Sequence, residues 1–128
     1  YESLLKNFIH LKMVCTNPDL VVHRGKKQEY CAGTIAKIFN ELGGHVIYFG
    51  KPYPDIYNFC IQKDERVLAI GDNIRTDIKG ANNMKFDSLF IINGVHKKEF
   101  MNIPVESYDK ILDSYETKTT YYQERLDW

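Results

Sequence analysis

Two aspartates and a lysine stand where they could bind a phosphate group together with a cation. The stretch VLAIGDNIRTDIKGA, residues 67–81, runs from four apolar residues into Gly71 and Asp72, and Asp77 follows five positions later. Lys51 lies upstream in the segment Gly-Lys-Pro-Tyr-Pro. Two carboxylates in one crevice repel each other unless a positive group lies between them, and Mg²⁺ prefers carboxylate, water and phosphate oxygens. These residue types predict a site for phosphate and Mg²⁺.

The hydrophobic pattern predicts the elements that must position these side chains. From residue 46 onward, predicted strands and helices alternate with short connections over residues 46–49, 54–62, 67–70, 76–82 and 88–92. Such alternation is typical of a parallel α/β sheet, in which ligands bind outside the carboxyl ends of the strands. Asp72 directly follows one predicted strand and Lys51 follows another, so the pattern places both at the same sheet edge.

The flanking parts of the chain are patterned less regularly. Before residue 46 we expect a helix over residues 2–10, a strand over 12–15, a polar loop over 23–27 and a helix over 28–42. Residues 106–115 are predicted to be helical. Residues 117–128 carry too little pattern for an assignment.

Composition excludes several classes of protein. The 128 residues suffice for a modest core, and the 17 basic and 17 acidic residues give no net charge that would favour nucleic acid or an anionic membrane. Three cysteines without a C-x-x-C pair argue against a disulfide scaffold or a thiolate zinc site and favour the cytoplasm. No apolar run has the length of a membrane-spanning helix.

Each candidate residue also has a purely structural interpretation. Asp77 could complement a helix dipole, Lys51 could be a solvated surface charge, and Asp72 could be a turn residue. Two other phosphate motifs are weaker. Cys60 and Arg66 match the C-x₅-R spacing of cysteine phosphatases, but their loop has no glycine, and no G-x-G-x-x-G follows a strand. The combination of lysine and two aspartates therefore remains the strongest signal.

FGKPYPDIY followed by VLAIGDNIRTDIKGA resembles the haloacid-dehalogenase-like (HAD) hydrolases of class IIA. This branch has a large α/β cap and includes sugar-phosphate, nitrophenyl-phosphate and phosphoglycolate phosphatases. The resemblance extends from about residue 12 to about residue 96. It implies an α/β fold in which residues 46–128 form the C-terminal part of a three-layer Rossmannoid core with a parallel sheet. Residues 1–45 would be the latter part of the cap.

The resemblance also implies roles for individual residues. Lys51 would stabilise the nucleophile and the transferring phosphoryl group, Asp72 would ligate Mg²⁺, and Asp77 would orient the shell of that metal. The implied substrate is a phosphorylated small molecule. The remaining implied residues shape loops or contact substrate from the cap: Gly50, Gly71, Asn73 and Thr76 for the loops, Asn17 and Asp19 for the substrate.

The covalent half of this chemistry is missing from the sequence. In the family an Asp-x-Asp pair supplies the nucleophile, which forms an aspartyl-phosphate, and the general acid-base group. Here no two aspartates are separated by a single residue; they stand at positions 19, 55, 64, 72, 77, 87, 109, 113 and 127. The chain could be the C-terminal piece of a phosphatase, half of a split enzyme, or a non-catalytic remnant that binds Mg²⁺ and phosphate. An N-terminal half or a second copy is the expected polypeptide partner, since the isolated chain would leave a sheet edge and apolar surface uncovered.

Overall fold

The computed structural model describes residues 1–25, 27–62 and 65–127 of the chain. These residues form two compact units, Tyr1–Gly50 and Lys51–Trp128. The division between cap and core that the sequence places at residues 45 and 46 remains a prediction. Among the described residues, no helix has the length and apolar character needed to cross a lipid bilayer.

The first unit is a small α/β arrangement around a parallel strand pair. Its elements are α1 (Glu2–Lys6), β1 (Lys12–Cys15), β2 (Val21–Arg24), β3 (Lys27–Tyr30), α2 (Ala32–Glu41) and β4 (His45–Tyr48). β1 and β4 run parallel, with Met13 beside Val46. The helix α2 packs on both strands and buries Ala36 and Phe39, as its apolar spacing predicts.

The prediction of a polar loop over residues 23–27 is wrong for the residues that the structure describes. β2 and β3 form an antiparallel hairpin in which Val22 lies opposite Glu29, and α2 begins at Ala32 rather than Gln28. Residue 26, within the expected loop, lies outside the described residues. The strand β3 reads KQEY and is largely exposed, so it lacks the apolar alternation by which a strand is recognised.

The second unit carries a three-stranded parallel sheet in the order β5-β6-β7. Its elements are α3 (Pro54–Cys60), β5 (Leu68–Gly71), a π-helical turn (Ile74–Ile78), α4 (Lys79–Met84), β6 (Asp87–Ile91), α5 (Lys97–Phe100), a 3₁₀ turn (Val105–Ser107), α6 (Tyr108–Ser114) and β7 (Tyr121–Gln123). The predicted alternation of helix and parallel strand in this region is confirmed. Both units therefore belong to the α/β class.

One face of this sheet packs on the main hydrophobic core of the second unit. Phe90 of β6 is fully buried, and its ring centroid lies 5.1 Å from that of Phe100 in α5. Ile74 and Ile78 of the π-helical turn and Leu112 of α6 complete the buried layer. Apolar residues from three separate helical segments thus hold the carboxyl ends of β5 and β6 in place.

Two elements of the second unit were not anticipated. The helix α5 has only four residues, and β7 lies in the tail that carried no assignment. β7 joins the sheet because Leu89 pairs with Tyr121, and Thr120 Oγ1 accepts a hydrogen bond of 3.0 Å from the Ser88 amide just before the strand. These contacts link residues distant in sequence, so the local pattern of the tail could not reveal them.

The opposite face of the sheet remains exposed. Leu68 and Ile70 of β5 are 48% and 45% exposed, and Tyr121 of β7 is 51% exposed on the same side. Parallel sheets in globular proteins are normally covered on both faces. The second unit therefore presents an exposed apolar surface on this face. Within the described sheet, β5 pairs on one side only, with β6.

We expect the isolated chain to bind a hydrophobic dye and to self-associate through this face. Leu68→Lys combined with Ile70→Lys should reduce both properties, because two charges replace apolar area. Light scattering after size-exclusion chromatography and dye fluorescence measure the change. Val105→Lys, at a 61% exposed position outside the sheet, is the matched control. A monomeric, sharply melting, dye-silent wild-type chain would contradict this expectation.

Candidate active site

The carboxyl end of β5 leads directly into the π-helical turn that carries Asp77. Gly71 ends the strand, and the Asp77 side chain lies against it so closely that a Cβ at residue 71 would overlap that carboxylate. The Asp77 amide donates a 2.8 Å hydrogen bond to the Asn73 carbonyl, and its Oδ2 accepts one of 3.0 Å from the Asn73 amide. Two hydrogen bonds between Asp77 and Asn73 thus close the turn.

Asn73 supplies the start of this turn. Its side-chain Oδ1 accepts a hydrogen bond of 3.0 Å from the Arg75 amide, which leaves the N-cap position satisfied. Thr76 is buried within the same turn. Two of the four residues expected to shape loops, Asn73 and Thr76, therefore lie in the segment that joins Asp72 to Asp77.

Lys51 and Asp77 form an ion pair. The Lys51 Nζ donates to Asp77 Oδ1, with the Asp77 side chain 9% exposed and that of Lys51 53% exposed. A carboxylate this deeply buried requires a partner, because an unpaired buried charge costs several kcal/mol. Both oxygens of Asp77 are occupied, one by the lysine and one by the Asn73 amide.

Lys51 reaches this edge by a route that the sequence did not predict. Its preceding strand β4 pairs with β1, whereas β5 belongs to the sheet with β6 and β7, so the expectation of one common sheet edge is wrong. Instead, the Asn83 side chain of α4 donates a 3.0 Å hydrogen bond to the Pro52 carbonyl. The helix α3 packs on α4, where Tyr57 lies against Gly80. Helix packing, rather than strand pairing, positions the lysine.

Tyr57 lies within the electrostatic influence of this pair. Burial raises the pKa of Tyr57 above its ordinary value, against the positive charge of Lys51 and together with the negative charge of Asp77. Its hydroxyl is buried and has no hydrogen-bond partner among the described residues. The phenol therefore stays protonated at neutral pH beside the ion pair.

Asp72 is half-buried and faces the residues that follow β6. Its Oδ2 accepts a 3.0 Å hydrogen bond from the Val95 amide. A Cβ at Gly94 would overlap the Asp72 side chain, so the close approach requires glycine there. Among the described residues, the hydrogen bonds of Asp72 involve only Oδ2, which leaves Oδ1 able to bind a cation.

The other predicted site residues belong to the first unit. Asn17 Oδ1 accepts a hydrogen bond of 3.1 Å from the Asp19 amide; Asn17 is exposed and Asp19 is half-buried. Gly50, the last residue of this unit, has φ 90°. The contribution of these three residues to a site around Asp72 remains a prediction.

Two groups at this edge, the Val95 amide and Tyr57, were not predicted from the sequence. The Val95 amide is invisible to side-chain motifs, although Asn93-Gly94 at the end of β6 signals a turn there. The sequence identifies Tyr57 only as a residue of the predicted helix over residues 54–62. No three histidine, cysteine or acidic side chains in the described part of the chain are grouped so that they could hold a metal ion.

Comparison with known proteins identifies relatives of this chain. The HAD-hydrolase-like family model matches residues 48–117. Ribonucleotide monophosphatase NagD of Escherichia coli (strain K12) is 30% identical over 88 residues, covering 66% of this chain and 34% of NagD. The chain thus spans about a third of the length of this curated relative.

Solved structures match almost the whole chain. A hydrolase of the haloacid dehalogenase-like family from Brucella suis 1330 superposes with a TM-score of 0.76 and 29% identity, covering 99% of this chain and 49% of that one. A possible sugar phosphatase of the HAD superfamily from Cytophaga hutchinsonii gives a TM-score of 0.71 at 22% identity, covering 97% and 48%. These likenesses support the HAD-like α/β core expected from the sequence.

The ion pair generates a prediction about stability. Lys51→Met and Asp77→Asn should each lower the free energy of unfolding, and the double variant should lose less than the sum by about 1 kcal/mol or more, since the two groups contact each other. Urea unfolding of the wild type and the three variants measures this coupling.

A second cycle on the more exposed pair Lys79–Glu116, with 3.5 Å between charged atoms, is the matched control. Lys79→Met and Glu116→Gln should be additive to within about 0.5 kcal/mol. Additivity at Lys51 and Asp77 would show that their contact contributes nothing to stability.

Proposed function

Because the chain belongs to the HAD-hydrolase-like family, we propose that it supplies the lysine and cation-binding part of a Mg²⁺-dependent phosphatase acting on phosphate monoesters. Relatives described as a ribonucleotide monophosphatase and a possible sugar phosphatase support phosphate ester as the common substrate group. The observation that carries the proposal is the Lys51–Asp77 ion pair beside Asp72 at the carboxyl edge of β5.

Lys51 is proposed to screen the negative charge of a phosphoryl group. Its ammonium is a compact charge with three N–H donors, and it is half-exposed although one oxygen of Asp77 binds it. Asp77 keeps the ammonium in place because that carboxylate is itself fixed by the Asn73 amide. Asp77 thus acts as an outer carboxylate that orients the site.

Asp72 is proposed to be the Mg²⁺ ligand of this chain. Its Oδ2 is fixed by the Val95 amide, and its half-buried carboxylate provides the hard oxygen that Mg²⁺ prefers. Mg²⁺ commonly binds through one or two carboxylates with water and phosphate, so a single aspartate from this chain fits the ion. When bound, the cation supplies neutralisation of phosphate charge.

The nucleophile is proposed to come from another polypeptide segment. No Asp-x-Asp pair occurs in the sequence, and in the HAD family this pair supplies the aspartate that forms the aspartyl-phosphate. An N-terminal half that carries this pair is the proposed partner. The same absence favours the second candidate function, a non-catalytic module that binds Mg²⁺ and phosphate.

Substrate selection is proposed to involve Asn17 and Asp19, whose polar side chains would contact a phosphorylated small molecule from the cap.

Cys15, Cys31 and Cys60 are free thiols, which supports a location in the reducing cytoplasm. The zero formal net charge gives no support for a nucleic-acid partner.

Asp72→Asn should weaken Mg²⁺ binding at least tenfold, because an amide oxygen replaces the charged ligand. Isothermal titration calorimetry of the 128-residue chain measures the affinity. Asp113→Asn, at an exposed position of α6, is the control and should bind Mg²⁺ like the wild type. Equal affinities in the two variants would remove Asp72 from the metal site.

With p-nitrophenyl phosphate and Mg²⁺, we expect no turnover from the chain alone and turnover after addition of a polypeptide that supplies the Asp-x-Asp strand. The restored activity should be lost in Lys51→Met. Activity of the chain alone, lost in Asp72→Ala, would show that no outside nucleophile is needed. Silence in both mixtures would favour the non-catalytic module.

A further inference from the structure

The orientation of Asp72 depends on the short segment that follows β6. The Val95 amide donates to Asp72 Oδ2, and Gly94 leaves room for that carboxylate. The Gly94 carbonyl accepts a 3.1 Å hydrogen bond from the Lys97 amide, which starts α5. Any contact that fixes the backbone of residues 94–97 therefore also fixes the Val95 amide, which donates to Asp72, the proposed cation ligand.

His96 stands in the middle of this segment with its ring buried. The residue is 4% exposed, and the ring contacts the aromatic residues on either side of it, with centroids 5.3 Å from Tyr115 and 6.5 Å from Phe90. Its Nδ1 lies 2.7 Å from Glu99 Oε1. The side chain is thus held by packing and by one strong polar contact.

Packing alone does not explain a histidine at this position. The Nε2 atom is buried and has no hydrogen-bond partner among the described residues. A buried polar atom without a partner destabilises the fold, so an apolar side chain of similar size would fill this space at lower cost. The polar contact to Glu99 is what an apolar residue could not provide.

Glu99 is held in turn by groups on other elements. The Tyr115 hydroxyl donates a 2.6 Å hydrogen bond to Glu99 Oε2, and the Arg75 guanidinium lies 4.9 Å from the centroid of the Tyr115 ring. Burial alone would raise the pKa of Glu99, but hydrogen bonds from Tyr115 and His96 and the positive charge of Arg75 outweigh it and lower the pKa. The carboxylate that accepts from His96 is therefore ionised at neutral pH.

We propose that His96 is a positioning residue for Asp72: anchored by Glu99, it fixes the segment whose Val95 amide orients the Asp72 carboxylate. The inference rests on the proposed function, in which Asp72 binds the cation. The chain of contacts starts at Arg75 in the π-helical turn, passes through Tyr115, Glu99 and His96, and returns to the carboxyl end of β5. Asp72 is thereby held by a residue that follows β6 as well as by its own place at the end of β5.

The test compares His96→Leu with His96→Asn in the 128-residue chain. Leucine fills the space without a donor, whereas the asparagine side chain retains an N–H that can donate to Glu99. Phe100→Leu, a change at a 2% exposed residue of the same helix, is the control for simple loss of packing. Three quantities are measured: the melting temperature, the hydrogen-exchange rate of the Val95 amide by NMR, and the affinity for Mn²⁺ from paramagnetic broadening.

We expect His96→Leu to exchange the Val95 amide at least tenfold faster and to bind Mn²⁺ about tenfold more weakly, without melting below Phe100→Leu. His96→Asn should recover most of both losses. An unchanged Val95 exchange rate in His96→Leu, an equal acceleration in Phe100→Leu, or no recovery in His96→Asn would overturn the proposal. If the wild-type chain shows no broadening around Asp72, the cation assignment fails, while the Val95 exchange rates still decide the role of His96.

Discussion

The ion pair between Lys51 and Asp77 is the interaction on which the arrangement of this edge depends. A carboxylate as buried as that of Asp77 is tolerated only with a charged partner and further hydrogen bonds, and it has both. The absence of a side chain at Gly71 lets this carboxylate lie against the strand end. The lysine, in turn, is brought near by helix packing of α3 on α4. Loss of any one of these contacts would therefore disturb the ion pair.

The sequence predicted the parts of this fold that are encoded locally. The apolar run before Gly71, the apolar spacing of α2 and the turn at Asn93 each lie within one element, so their positions follow from the residue pattern. The hairpin of β2 and β3 and the short strand β7 depend on partners elsewhere in the chain. Their own residues are too polar or too few to signal a strand.

The candidate site shows the same division. Residue types indicated that Lys51, Asp72 and Asp77 carry related chemistry, and the structure brings the lysine and the second aspartate into contact. The sequence pattern did not show that Lys51 forms an ion pair with Asp77. Nor could it show that a backbone amide, that of Val95, holds Asp72, because an amide is present at every residue except proline.

The boundary between the two compact units falls between Gly50 and Lys51, so the lysine lies at the first position of the unit that also contains both aspartates. Lys51, Asp72 and Asp77 therefore share one stretch of chain with the core that supports them. A genetic recombination event at this junction would transfer the whole constellation intact and could join it to a different preceding module. These three charged residues can consequently be inherited separately from residues 1–50.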